Sequence, residues 1–176
     1  MSLFRRIFLF AKQDVTQVSV LLVCTANYCR SPMAEGMLRQ KLVERGLSRH
    51  IRVDSAGTHV SRKGQRPDLR AQQAVLPAGV DIAGLRSRSI QPVDFIEFDY
   101  VLVMDEGNFL SVSKLCPDEY RHKLGMIMAF APQVDVIDVP DPYYSNKEGF
   151  KRVYTFLNQA IAGLLDFIEK KHGLRL

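Results

Sequence analysis

The feature that most constrains this chain is the unbroken passage from Val18 to Gly36, where an apolar run ends in a short polar loop and the loop ends in a helix start. Val18 to Val23 has the length and branched-residue content of a buried strand. Cys24 to Arg30 then turns. Ser31 and Pro32 suit the N-cap and the first helical position, which places a helix N-terminus directly after the loop. At such a point several backbone N–H groups lack carbonyl partners and the helix dipole adds partial positive charge, so the passage predicts an anion site.

Arg30 adds a planar fork of donors matched to two phosphate oxygens. A cysteine sulfur placed among these donors is stabilised as thiolate, which makes Cys24 a candidate nucleophile toward phosphorus. The plainer alternative is a small buried hydrophobe at a strand end. The helix start behind the loop, and the small or polar Thr25, Ala26 and Asn27 within it, favour the chemical reading.

The residues VCTANYCRSPMAE resemble the phosphate loop of the low-molecular-weight protein tyrosine phosphatases, which reads close to VCxGNxCRSPxAE; Ala26 stands where that family commonly has glycine. The resemblance covers roughly Val18 to Phe167. Further matches lie at Ser55 to Thr58, at Tyr100 to Asp105 and at Asp141-Pro142-Tyr143-Tyr144. It implies that residues 17–176 are the phosphatase domain and residues 1–16 an N-terminal extension. It also implies a protein tyrosine phosphatase that works through a cysteinyl-phosphate, with Cys24 as nucleophile, Arg30 binding phosphate and Asp141 as general acid and base. On its own the Asp141-Pro142 pair would read as a turn. Asp135 and Asp138 are nearby rivals that read as solvated loop carboxylates.

Around these three, Thr25, Ala26, Asn27, Tyr28, Cys29 and Ser31 are candidates for holding the phosphate, and Tyr143 and Tyr144, with Tyr28, for walls around a flat ring. An ordinary surface or core role stands beside the aromatic one. The amide of Asn27 suits a strained turn. Ser31 has two compatible roles, as helix cap and as donor to the thiolate, and Ser55 matches the family serine that bonds the loop asparagine, with a plain strand-to-turn serine as the alternative. The resemblance further implies redox protection of Cys24 by a reversible disulfide with Cys29, against an inert packed thiol as the alternative. Some relatives carry a histidine where this chain has Leu85, so loop support from that side chain is absent or supplied differently here.

Length, 176 residues, allows one well-buried core and not two ordinary domains. No stretch approaches the roughly 20 apolar residues of a membrane span, so a soluble protein without stable membrane insertion is expected. Ile7 to Ala11 is too short for a secretory apolar region; a loosely packed extension and an amphipathic contact with a partner or membrane surface both remain open for the segment around it. Three cysteines without metal or disulfide spacing fit a reducing cytoplasm. The net charge of +5 favours acidic partners, but its scatter along the chain argues against nucleic acid. His50, His59, His122 and His172 form no metal motif, and no cofactor is expected because Arg30 and the loop supply the positive charge.

Further strands are expected from Ile51 to Ser55, ending in a turn at Ala56-Gly57, at Tyr100 to Met104 and at Met126 to Phe130. Helices are expected at Ser31 to Arg45, from Pro67-Asp68 to Leu76, at Asp94 to Glu97 as a short turn, at Glu106 to Leu115 and at Lys147 to Lys170. Four strands interleaved with helices predict an α/β fold, a single domain with a four-stranded parallel doubly wound sheet, its ligand beyond the carboxyl end of the first strand.

Two rival functions remain. Thiol-dependent arsenate reductases on the same scaffold need a resolving cysteine pair, and only Cys116 is available beyond the loop. A non-catalytic phosphate-binding module would need neither Cys24 nor Asp141. The partner expected is a phosphotyrosine-containing protein or aryl phosphate. Details such as GQRPDLRA resemble bacterial members, some of them partners of tyrosine autokinases, and point to a bacterial tyrosine kinase; a monomer or weak dimer is expected.

Overall fold

A computed structural model describes residues 17–174. The expected N-terminal extension, residues 1–16, lies outside them. Strand β1 (Val18–Cys24) is buried along its whole length and occupies an interior position of a four-stranded sheet of order β2-β1-β3-β4, every pairing parallel. Its neighbours are β2 (Ile51–Gly57) and β3 (Tyr100–Val103), and β4 (Leu124–Met126) closes the far edge. The helices are α1 (Arg30–Glu44), α2 (Leu69–Val75), α3 (Asp94–Glu97), α4 (Glu106–Leu115) and α5 (Lys147–His172).

The two faces of β1 follow from the pleat, which sends alternate side chains to opposite sides. Val18, Val20, Leu22 and Cys24 pack into a large core with residues of α1, α2 and α5. Leu21 and Val23 pack into a smaller one with Phe95, Val101, Val103, Val112 and Cys116. Burial on both faces explains why the strand reads as a continuous apolar run rather than an alternation. The stripe on α5 is continuous too: Phe150, Val153, Leu157, Ile161, Leu164, Leu165 and Ile168 are all buried.

Two expectations are corrected. The fourth strand ends at Met126, and Ile127–Phe130 forms a 3-10 turn that packs against α5. The apolar run there has no strand period because Ile127 and Met128 are both buried in the same core. The second correction concerns Ser31, which does not cap α1. The helix begins at Arg30, with Cys29 at the cap position and no side chain bonded to its first amides, because the Ser31 hydroxyl is committed elsewhere.

Among the described residues no helix is long and apolar enough to cross a membrane.

Candidate active site

The carboxyl end of β1 is where the loop begins. Cys24 pairs in register with Gly57, the last residue of β2. A side chain at Gly57 would collide with the backbone of Thr25 and Asn27, so glycine is what lets β2 run flush against the loop. Just beyond it, Thr58 N–H donates to the Cys24 carbonyl at 2.9 Å and His59 N–H to that of Thr25 at 2.8 Å.

Asn27 holds the turn. It has a left-handed backbone, φ 53°, and is the only non-glycine residue with positive φ among those described. Asparagine tolerates that region better than most residues. Its amide nitrogen donates to Ser31 Oγ at 2.9 Å and to Ser55 Oγ at 2.8 Å, while its oxygen accepts from the Arg88 N–H at 2.9 Å. Ser55 in turn donates to the buried carboxyl of Glu35. Ala26 has no positive φ, so its methyl group is accommodated in the loop. Leu85 packs half-buried against the core. The backbone of Arg88 is what reaches the asparagine.

Ser31 Oγ lies 3.1 Å from Cys24 Sγ and 3.2 Å from the Ala56 carbonyl. Having accepted from Asn27, its one proton is free for the sulfur or for that carbonyl. With no side-chain cap and no acidic residue in the first turn of α1, the helix start keeps its positive character for an anion.

Arg30 is 2 % exposed, which is rare for arginine without partners. Nη1 donates to Asp105 Oδ2 and, at 2.9 Å, to the Val139 carbonyl; Nη2 donates to Asp141 Oδ2 at 2.9 Å and to Thr25 Oγ1 at 3.2 Å. Burial opposes its charge, but Cys24, the Asp105 hydrogen bond and Asp141 outweigh that effect and hold the guanidinium protonated beyond its usual range. Asp105 was not among the residues singled out from sequence. It caps α4 through Oδ1, which accepts from Asn108 N–H at 2.6 Å, and so ties that helix to Arg30. A carboxylate directly after a parallel strand was the available signal.

Cys24, Thr25, Ala26, Tyr28, Cys29, Arg30, Asp141, Tyr143 and Tyr144 line one cleft of about 550 Å³. Tyr28 and Tyr143 lie 6.4 Å apart between ring centres and Tyr143 stacks edge-on with Tyr144 at 4.9 Å. Asn27, Ser31 and Ser55 lie behind the cleft as supports. Also missed from sequence were Val60, Ser61, Arg62 and Gln65, which complete its wall; the basic stretch around them reads as an exposed loop when nothing shows where it folds back. Asp138 is exposed and accepts from Glu106 N–H, and Asp135 is exposed as well.

All three cysteines are unbridged. Cys29 is 5 % exposed, and burial, followed by the charges of Asp68 and Cys24, pushes its thiol far above the usual range. Cys116 packs in the core on the opposite side of the sheet from Cys24 and Cys29. Among the described residues no group of three or more His, Cys, Asp or Glu side chains could hold a metal ion.

Residues 19–174 match the family described as low molecular weight phosphotyrosine protein phosphatase. The chain belongs to that family. The human low molecular weight phosphotyrosine protein phosphatase is 36% identical over 160 residues, 88% of this chain and 96% of its own length. Among solved structures, a low molecular weight phosphotyrosine phosphatase from Vibrio cholerae superposes with a TM-score of 0.82 at 36% identity, covering 88% of this chain and 98% of that one. A protein tyrosine phosphatase from Entamoeba histolytica, crystallised with Hepes in its active site, gives 0.83 at 32% identity over 89% and 99%. The family is one of protein-tyrosine phosphatases, hydrolases of phosphoric monoesters.

Proposed function

We propose that this member of the low molecular weight phosphatases hydrolyses phosphotyrosine in two displacements at the cleft above Cys24. In the first, the Cys24 thiolate attacks phosphorus, the S–P bond forms and the bond to the phenolic oxygen breaks. Arg30 and the loop amides hold the equatorial oxygens, while Asp141 gives its proton to the departing oxygen. In the second, Asp141 takes a proton from water as the water oxygen attacks phosphorus. The S–P bond breaks, and phosphate and thiolate are released. Positive charge for both transition states comes from Arg30 and the helix start.

The observation that carries this reading is that Asp141, 111 residues beyond Arg30, lines the same cleft as Cys24 and Arg30, with Ser31 on the sulfur and Asp141 on the guanidinium. The position of Asp141 at the mouth, half-exposed beside Tyr143, suits proton delivery to a ring oxygen. A phosphoprotein, including a bacterial tyrosine kinase, is the substrate class we assign. Arsenate reduction by a cysteine relay is disfavoured because Cys116, the remaining cysteine, is buried behind the sheet.

The test is turnover of a phosphotyrosine peptide beside a phosphoserine peptide and arsenate. Phosphate release from phosphotyrosine alone is expected, with none from Cys24→Ser. Full activity in the serine variant would falsify the nucleophile assignment.

A further inference from the structure

The loop between β2 and α2 carries His59, Arg62, Lys63 and Arg66, and the two displacements make no use of it. Among the described residues Arg62, Lys63 and Arg66 take part in no ion pair, as is also true of Arg49, Arg86 and Arg152 elsewhere. An unpaired basic stretch is ordinarily a solvated tip. This one is clamped. Ser87, 5 % exposed, accepts at Oγ from Gln65 N–H at 3.0 Å and donates from Oγ to the Arg62 carbonyl at 2.9 Å. Its backbone N–H donates to the Gln65 carbonyl at 2.9 Å and its carbonyl accepts from Gly64 N–H at 2.8 Å.

The clamp holds the loop against the cleft. Arg62 and Gln65 form part of the wall facing Cys24, and Gln65 with Arg66 continues past Tyr28 into an adjoining depression of about 310 Å³ bounded by Leu69 and Gln72. Tyr28 and Gln65 belong to both hollows, so the two are contiguous. On the other side of Asp141 the surface has the opposite sign, with Asp105, Glu106 and Asp138 around a hollow that shares Thr25 and Asp141 with the cleft and also takes in His59. A phosphotyrosyl peptide seated on Arg30 lays its flanking residues on these walls. Carboxylates are attracted to the first and repelled by the second, and the clamp fixes the backbone that carries the arginines, while their exposed side chains are ordered only as a peptide docks.

We propose that the Ser87-clamped loop is a specificity wall that selects phosphotyrosine flanked by Asp or Glu, with Arg62 and Arg66 as the reading residues. The proposal rests on the phosphotyrosine phosphatase activity proposed above and names the kind of substrate that site takes. Partly exposed charge pairs of this type are individually weak, so each arginine is expected to give about a threefold preference and the two together roughly tenfold. The preference fades as salt shortens the screening length below the width of the cleft.

The experiment measures kcat/KM for three phosphotyrosine peptides, flanked by acidic, neutral or basic residues, together with p-nitrophenyl phosphate, which has no flanks. Turnover of p-nitrophenyl phosphate by the wild-type protein checks the underlying activity, and its absence would sink that activity rather than the wall. With turnover present, the expected result is an acidic-to-basic peptide ratio of roughly ten. That ratio is kept in Arg62→Lys with Arg66→Lys, falls toward one in the double Gln variant, and inverts in the double Glu variant. A wild-type ratio near one, or a ratio unchanged in the double Gln variant, overturns the wall and leaves the phosphatase activity standing.

Discussion

Nη2 of Arg30 lies 2.9 Å from Oδ2 of Asp141, while Nη1 of the same guanidinium is held by Asp105 and by the carbonyl of Val139. One side of the guanidinium is therefore an anchor and the other a working surface. Phosphate oxygens that bind at Nη2 compete with the carboxylate for the same donor. On the proposed mechanism, substrate binding in this way frees the Asp141 carboxylate from its ion pair with Arg30.

Replacing Asp141 by Asn keeps a polar group near Nη2 and removes the transferable proton. For phenyl phosphate and other poor leaving groups, kcat/KM, which reports the first displacement, is expected to drop by about 10²- to 10⁴-fold, with a much smaller effect on p-nitrophenyl phosphate. A series of substituted phenols measures this as a steeper dependence on leaving-group acidity. Equal losses across the series would remove Asp141 from the proton-transfer step.

Asn27 combines a left-handed backbone with three hydrogen bonds, and two variants separate these contributions. Asn27→Ala loses the bonds and places a Cβ-bearing residue without local compensation at positive φ, for a total of about 3 kcal/mol. Asn27→Gly loses the bonds alone and should recover about 1 kcal/mol of that. Chemical denaturation of the two proteins checks the order, which would be reversed if the backbone at this position carried no strain.

The cysteines should differ sharply toward alkylation. Burial raises the thiols of Cys29 and Cys116 above their usual range, so both stay protonated at neutral pH. Iodoacetate is expected to label Cys24 first, with inorganic phosphate slowing the reaction, as read by peptide mass spectrometry. Labelling of Cys29 ahead of Cys24 would contradict this order.

Glu35 links stability to pH. Burial raises its folded-state value above the ordinary 4.5, more than the Ser55 hydrogen bond and Arg39 lower it. The folded protein then holds this proton more tightly than the unfolded chain. The associated stability is fully present below 4.5 and is lost as pH rises through the folded value. Glu35→Gln, which cannot titrate, should lack this decline, so the difference in unfolding free energy between variant and wild type moves in the variant's favour as pH is raised. A difference independent of pH would mean that Glu35 titrates alike in both states.

Much of this was legible from residue order because the relevant signals are local. The run into Cys24, the glycine after Ala56 and the stripe on α5 each determine their own element. Asp105 and Arg62 were not legible, since their roles depend on chain segments brought together only by the parallel crossovers. Ser31 was misread as a cap for a related reason. Its local pattern is that of a capping serine, but tertiary partners at Asn27, Cys24 and Ala56 outbid the helix amides for its hydroxyl. The fourth strand was drawn too far because burial on a single side of a 3-10 turn gives the same apolar run as a strand buried on both.

Cys24 belongs to the packed interior as well as to the cleft, since it is the last paired residue of an interior strand and part of the larger core. The proposed nucleophile is therefore tied to the sheet by strand pairing and core packing. On heating, inactivation should follow the cooperative melting of the whole sheet, and amide exchange at the start of the loop should be as slow as in the strand that leads into it.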